Sequence, residues 1–282
     1  MERKKYAVLD HPIIGYFLLA IFGYIMSSIG TIGDTIIGFL IPGYLTYTEV
    51  NGRQIPSGAG VCVAVVTVGA VIIFYVWFKP YFKGMLKKKA LLTGLLMLLP
   101  FLLFHYAGSV VSWFEWGTTT AWGVVIAFLR AFAPGFGEEI TYRGLGVANY
   151  MRTIKDEKGI YVIFFLSSAV FGAVHLANSF SGAPLGVSVI QAVYAMGVGM
   201  ALCAVYLRTG NLLPTIIGHL TVDFMEFIRN DLSASGGVMQ GMGIGDWITI
   251  AAGAFAAGWG IFLIRKKYHS DIMALWAEKW SQ

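Results

Sequence analysis

The sequence predicts an all-α fold: a polytopic membrane helical bundle of about eight transmembrane helices, forming one integral-membrane domain over residues 1–282. Three observations carry that prediction. The chain is 57% hydrophobic and 12% charged, with a mean hydropathy of +0.71, outside the usual range of globular domains. Apolar runs recur along it, each near the roughly 20 residues a helix needs to cross a bilayer. The net charge of +5 is not spread evenly; basic residues gather in alternate connections.

The first apolar run covers about residues 12–32 and can extend towards Leu40. It follows Met1-Glu2-Arg3-Lys4-Lys5, and no small-x-small cleavage site comes after it. It therefore reads as an uncleaved anchor rather than a signal peptide. Pro42 to Gly58 is a polar loop with turn residues Pro42, Gly43, Asn51, Gly52 and Pro56. Runs at about 59–78 and 90–108 follow. The fourth, about 119–148, is longer than a crossing needs, so it tilts or breaks near Pro134-Gly135. The last four are about 159–179, 184–207, 212–230 and 246–264. Backbone groups in lipid must be satisfied within their own segment, so these runs are helices. Cys62 and Cys203 both lie in apolar runs and read as inert buried thiols, with no disulfide framework. Trp113, Trp116, Trp122 and Trp247 fit an interfacial aromatic belt.

The charges then orient the bundle. Arg3, Lys4 and Lys5 precede the first run, and Lys79, Lys83, Lys87, Lys88 and Lys89 separate the second from the third. Arg152, Lys155 and Lys158 follow the fourth, Arg208 the sixth, and Arg265, Lys266, Lys267 and Lys279 the eighth. The opposite connections carry only Arg53 and Arg229. Positive charge favours the cytoplasmic side, so both termini are expected there. Anionic headgroups account for the Lys79–Lys89 stretch, so lipid is the partner it implies and no nucleic acid is needed. Short loops point to a prokaryotic cell membrane.

Function is expected where charge is least tolerated. An ionised side chain at the bilayer centre costs about 2.5–3.5 kcal/mol on insertion scales, so such residues are functional suspects. Glu138, Glu139 and Arg143 lie inside the fourth run. Glu139 and Arg143 are four apart, with the acid first, the favoured order for an ion pair on one helix face. Glu138 points about 100° away on an α-helix, leaving it free for chemistry. His175 lies in the fifth run, and His219 and Asp223 share a face of the seventh. Counted from the turn near Thr153 to Lys158, Glu138 and His175 sit at one depth, roughly 22–24 Å along antiparallel helices at 1.5 Å per residue. A lone membrane histidine often only bonds a neighbouring helix, but this set spans three helices. His105 reads as interfacial, His11 and His269 as flanking residues without chemistry, and Arg130 as paired within the bundle. No H-E-x-x-H or G-x-S-x-G occurs. Gly243-Ile244-Gly245-Asp246 touches an aspartyl-protease pattern, but Asp246 reads better as an acidic residue at a helix start.

Glu138-Glu139-x-x-x-Arg143, Phe171-x-x-x-His175 and His219-x-x-x-Asp223 resemble, in order, the three motifs of the CAAX-protease and bacteriocin-processing (CPBP, or Abi) family. Tyr142-Arg143-Gly144, His175-Leu176-Ala177-Asn178 and Arg208-Thr209-Gly210-Asn211-Leu212-Leu213-Pro214 extend the likeness. The resemblance covers about residues 130–230, within a catalytic core expected at about 119–230. It implies a glutamate-type intramembrane endopeptidase. Glu138 with His175 would activate water, and His219 with Asp223 would serve the oxyanion. Glu139, Arg143 and Asn178 would be supporting residues. The family accepts Asn or Asp at position 223. An ionised Asp accepts hydrogen bonds only, so Asp223 either is protonated or orients His219, the reading preferred here. The expected partners are membrane lipid and a peptide or lipidated-protein substrate (CAAX-like, pheromone or bacteriocin-like). No cofactor is required. A zinc-dependent version ligated by Glu138, His175, His219 and Asp223 stays open, as does a non-catalytic binding, immunity or transporter-like protein.

Overall fold

The computed structural model describes residues 7–50, 53–85, 87–108, 119–229 and 244–281. Met1 to Lys5, Asn51, Gly52, Trp113, Trp116 and Gly243, all singled out above, lie outside the described residues. The described residues form a helical bundle with a single small hairpin. In order it forms α1 (Pro12–Leu40), β1 (Tyr47–Val50), β2 (Arg53–Pro56), α2 (Val61–Trp77) and α3 (Lys88–Gly108). Then come α4 (Ala121–Phe132), a π-helical segment (Ala133–Val147), α5 (Ala148–Thr153) and α6 (Lys158–Val174). A 3-10 stretch (His175–Ser181), α7 (Leu185–Thr209), α8 (Leu213–Arg229), α9 (Ile244–Leu263) and α10 (His269–Ser281) complete it.

Five helices among the described residues are long and apolar enough to cross a membrane: Pro12–Leu40, Lys88–Ala107, Lys158–Phe180, Leu185–Thr209 and Asp246–Leu263. Val61–Trp77 is apolar but shorter. The other two expected crossings, about 119–148 and 212–230, fall on the helical segments 121–153 and 213–229, neither of which is long and apolar enough to qualify. They carry the ionisable residues of the candidate site, whose charges dilute the hydropathy that marks a span.

Helix ends are set by local chemistry. The Thr120 side chain accepts from the Gly123 N–H and starts α4. Asp156 accepts from the Lys158 and Gly159 N–H groups at the start of α6. Gly210, at φ 60°, closes α7 in the left-handed region that glycine favours. α7 is the central helix, buried almost continuously from Ala195 to Leu207, with α6 and α9 packed against it.

Two segments differ from expectation. The loop from Pro42 to Gly58 folds into an antiparallel hairpin, pairing Tyr47 with Pro56 and Val50 with Arg53. The C-terminal flank is an ordered helix, α10. Trp276 is 1% exposed there, and its Nε1 donates to the Leu207 carbonyl at 3.0 Å. His269 is buried with it, against the Ile264 carbonyl at 2.9 Å.

Candidate active site

The expected break near Pro134 takes the form of a change of winding. Pro134 has no N–H to return to the preceding turn, and from Ala133 the chain winds as a π-helix. At its end the Ala148 N–H donates to the Arg143 carbonyl, five residues back. Long π stretches are rare and concentrate at functional sites. Gly135 lets this segment touch α8. A Cβ there would lie 2.8 Å from Leu220 Cβ and 3.0 Å from the Leu220 backbone nitrogen. That close approach sets the two glutamates opposite His219.

Arg143, Glu139 and His219 form a buried chain. Arg143 Nη1 donates to Glu139 Oε1 at 2.7 Å, and neither side chain is exposed. The same carboxylate oxygen accepts from His219 Nδ1 at 3.0 Å. Arg143 Nη2 donates to the Gly199 carbonyl at 3.3 Å. The guanidinium lies 4.1 Å above the Phe171 ring, a favourable cation–π position. Phe171 also meets His175, His219 and Tyr142 edge-on. One buried ring therefore contacts both histidines and the arginine that anchors Glu139.

Glu138 is placed differently. Its side chain is 29% exposed, and Oε2 lies 4.0 Å from His219 Nε2. It lines a large cavity of about 760 Å³ together with His175, Asn178, His219 and Asp223. Glu138, His175 and Asn178 also line a smaller polar pocket next to Thr141 and Tyr142. The two carboxylates that are neighbours in sequence thus have separate surroundings, as their spacing predicted.

The hydrogen bonds fix the imidazole tautomers. His175 Nδ1 lies 2.8 Å from the Phe171 carbonyl. A carbonyl only accepts, so Nδ1 carries the proton and the neutral ring keeps Nε2 as an acceptor. His219 donates through Nδ1 to Glu139, and its Nε2 lies 3.4 Å from Asp223 Oδ2. Glu139 therefore orients His219 from one side of the ring while Asp223 faces the other. Asn178 Nδ2 donates to Gln191 Oε1 at 2.8 Å.

All seven expected site residues converge on this region. His105, in the last turn of α3, is 7% exposed, lines the large cavity and shares a 3.2 Å hydrogen bond with the Tyr194 hydroxyl. Arg130 lies 4.4 Å over the Phe227 ring. Glu226 and Gln191 line the cavity and were missed. Glu226 had a signal, since it is seven residues after His219 on one helix face. Asp34 was missed too. It accepts from the Gly60 and Cys62 N–H groups and from the Tyr44 hydroxyl, fastening α1 to the start of α2. Among the described residues no three His, Cys, Asp or Glu side chains converge as a metal-binding set.

Residues 120–225 match the family model described as Type II CAAX prenyl endopeptidase Rce1-like. The matched segment holds the π-helix, His175 and the His219–Asp223 pair. The chain therefore carries an Rce1-like domain, consistent with the CPBP resemblance. Together with helices long and apolar enough to cross a membrane, this points to an integral membrane protein that is similar to CAAX-type proteases over residues 120–225. No curated protein and no solved structure matches the chain.

Proposed function

We propose that the protein is an intramembrane endopeptidase that hydrolyses peptide bonds of membrane-associated substrates with water activated by Glu138 and His175. One observation carries this reading. Glu139 is wholly buried and committed to Arg143 and His219, while the adjacent Glu138 reaches into a cavity shared with His175. One carboxylate holds the frame and the other is available as a base.

In this reading the Glu138 carboxylate takes a proton as the water oxygen bonds to the scissile carbonyl carbon. His175 Nε2 accepts from the same water. The carbonyl oxygen becomes an oxyanion and takes a hydrogen bond from His219. Because Nδ1–H is committed to Glu139, His219 donates from Nε2 only as the imidazolium. A preset donor of this kind lowers the barrier by about 3–4 kcal/mol. Collapse breaks the C–N bond, and the proton held by Glu138 passes to the leaving amine. Asp223 holds the imidazolium from the Nε2 side, and Asn178 shapes the cavity wall beside His175.

CAAX-like, pheromone and bacteriocin-like peptides, lipidated or not, are the substrate classes that this reading admits. It takes Val61–Trp77, 121–153 and 213–229 as the remaining crossings of an eight-span bundle with both termini cytoplasmic. Peptide mass spectrometry on membranes from cells making wild type or Glu138→Gln tests it. Peptides cleaved only by wild type are expected. Identical peptide sets would overturn the proposal.

A further inference from the structure

Two crossing helices end side by side next to α10. α7 runs to Thr209 and α9 to Leu263, and a 3-10 turn, Lys266–Tyr268, leads from α9 into α10. Arg208 Nη1 donates to the Leu263 carbonyl at 2.9 Å and ties the two ends together. The last carbonyls of a helix lack partners within it. Arg265 Nε takes another of them, that of Phe262, at 2.9 Å. Capping therefore accounts for one N–H of each arginine, out of the several that a guanidinium carries.

The same side chains gather around Tyr268. Arg208 Cζ lies 3.6 Å from the centre of its ring, Lys267 Nζ 4.7 Å and Arg265 Cζ 5.9 Å. Other basic residues near the helix ends have acidic partners: Arg152 pairs with Asp10 at 2.8 Å, and Lys87 meets Glu278 at 3.9 Å. Among the described residues no carboxylate pairs with Arg208, Arg265 or Lys267. Cations held this close repel one another until an anion joins them. The field is felt locally: Lys267, with Arg208 and Arg265, holds the Tyr268 hydroxyl below its ordinary pKa.

The cluster adjoins an apolar face. Arg265 Cζ lies 3.6 Å over the Phe262 ring, which stacks on Trp259 at 5.0 Å. The Trp259 indole N–H is fixed on the Met97 carbonyl at 2.7 Å. Ile261 and Phe262 are 47% and 42% exposed on a helix apolar enough to cross a membrane, so they face lipid tails. Unpaired cations directly above exposed apolar side chains match a ligand with a negative head and a hydrocarbon tail.

We propose that Arg208, Arg265 and Lys267, gathered around Tyr268, bind the phosphate of an anionic phospholipid whose acyl chains lie along Ile261 and Phe262. The Lys79–Lys89 stretch attracts headgroups by diffuse charge. Here carbonyls and rings fix the guanidinium groups before a lipid arrives, and a fixed guanidinium fork suits a phosphate. A zwitterionic lipid brings its own ammonium to the same cations, and a free phosphate lacks the tail.

Native mass spectrometry of the full chain, stripped of lipid in detergent and titrated with phosphatidylglycerol, tests the site. Wild type is expected to take one phosphatidylglycerol more tightly than any further one, and more tightly than phosphatidylcholine. A cation beside an anionic headgroup strengthens binding about fivefold, so Arg265→Gln and Lys267→Gln should each weaken the first step by at least that factor. Lys83→Gln removes the same charge from the exposed basic stretch and should bind as wild type does. Lys267 is exposed, so its variant carries the test if Arg265→Gln does not accumulate. Unchanged binding in the site variants, or equal weakening in Lys83→Gln, overturns the proposal. So does phosphatidylcholine bound as tightly as phosphatidylglycerol. Displacement of the bound lipid by inorganic phosphate would mark a free-anion site and overturn the lipid assignment. None of these readouts involves peptide cleavage, so the proposal stands or falls apart from the endopeptidase reading.

Discussion

Glu139→Gln separates the frame of the site from its chemistry. In wild type the Arg143–Glu139 pair is fully buried at 2.7 Å. Removing one partner of a buried ion pair costs about 3–5 kcal/mol, because the other charge is left uncompensated. Some of that is offset here. The glutamine keeps one carbonyl acceptor, and Arg143 retains the Gly199 carbonyl and the Phe171 ring. A retained cation–π contact contributes about 1–2 kcal/mol, so a net loss of roughly 1–4 kcal/mol is expected. At a few degrees per kcal/mol, this lowers the apparent Tm by on the order of 10 °C. Glu138→Gln removes a part-exposed group whose nearest ionic neighbour is 4.0 Å away, and its Tm should stay close to that of wild type. Thermal unfolding of the three purified proteins in one detergent makes the comparison. A Glu139→Gln protein that melts with wild type, or a Glu138→Gln protein that falls as far as Glu139→Gln, would refute the division of roles.

Other substitutions probe single contacts. Asp223→Asn should slow peptide cleavage by roughly tenfold without abolishing it, since a hydrogen bond to a charged group contributes about 1.5–3 kcal/mol and Glu139 still orients His219; full loss in a folded variant would make Asp223 indispensable. Gly135→Ala should lower both stability and activity, because its Cβ would press on the Leu220 backbone and overpacking costs about 1–3 kcal/mol; wild-type melting and cleavage would show that the close approach does not matter. Trp276→Ala should destabilise the protein by about 3–5 kcal/mol, read as detachment of α10 by limited proteolysis. Chelation should leave the cleavage rate unchanged; loss of activity that zinc restores would instead support the metal-dependent reading.

Much of the site was legible because its logic is local. The four-residue spacing of Glu139 and Arg143 predicted their pairing, and antiparallel depth counting placed Glu138 and His175 on one cavity. What escaped depends on contacts between distant segments. The Glu139–His219 bond joins residues 80 apart, and no spacing rule reports it. The π winding needs the missing Pro134 N–H and also the fit of Gly135 against α8, which only the packed bundle shows. The hairpin was readable: Asn51-Gly52 between two short runs is a strong turn signal, but in so polar a stretch it passed as a loop. The span count is blurred by short helices, since Val61–Trp77 and Leu213–Arg229 have 17 residues each, and by the charges of the segments that hold Glu138 and His219.

The central claim is that Glu138 is the catalytic base. Its most direct test is the cleavage rate of wild type and Glu138→Gln, reconstituted in the same liposomes, on a substrate peptide found by mass spectrometry. Removal of a general base lowers the rate by about 10²–10⁴-fold. The account predicts a loss in that range with the Tm unchanged. A Glu138→Gln protein that cleaves at the wild-type rate would contradict it.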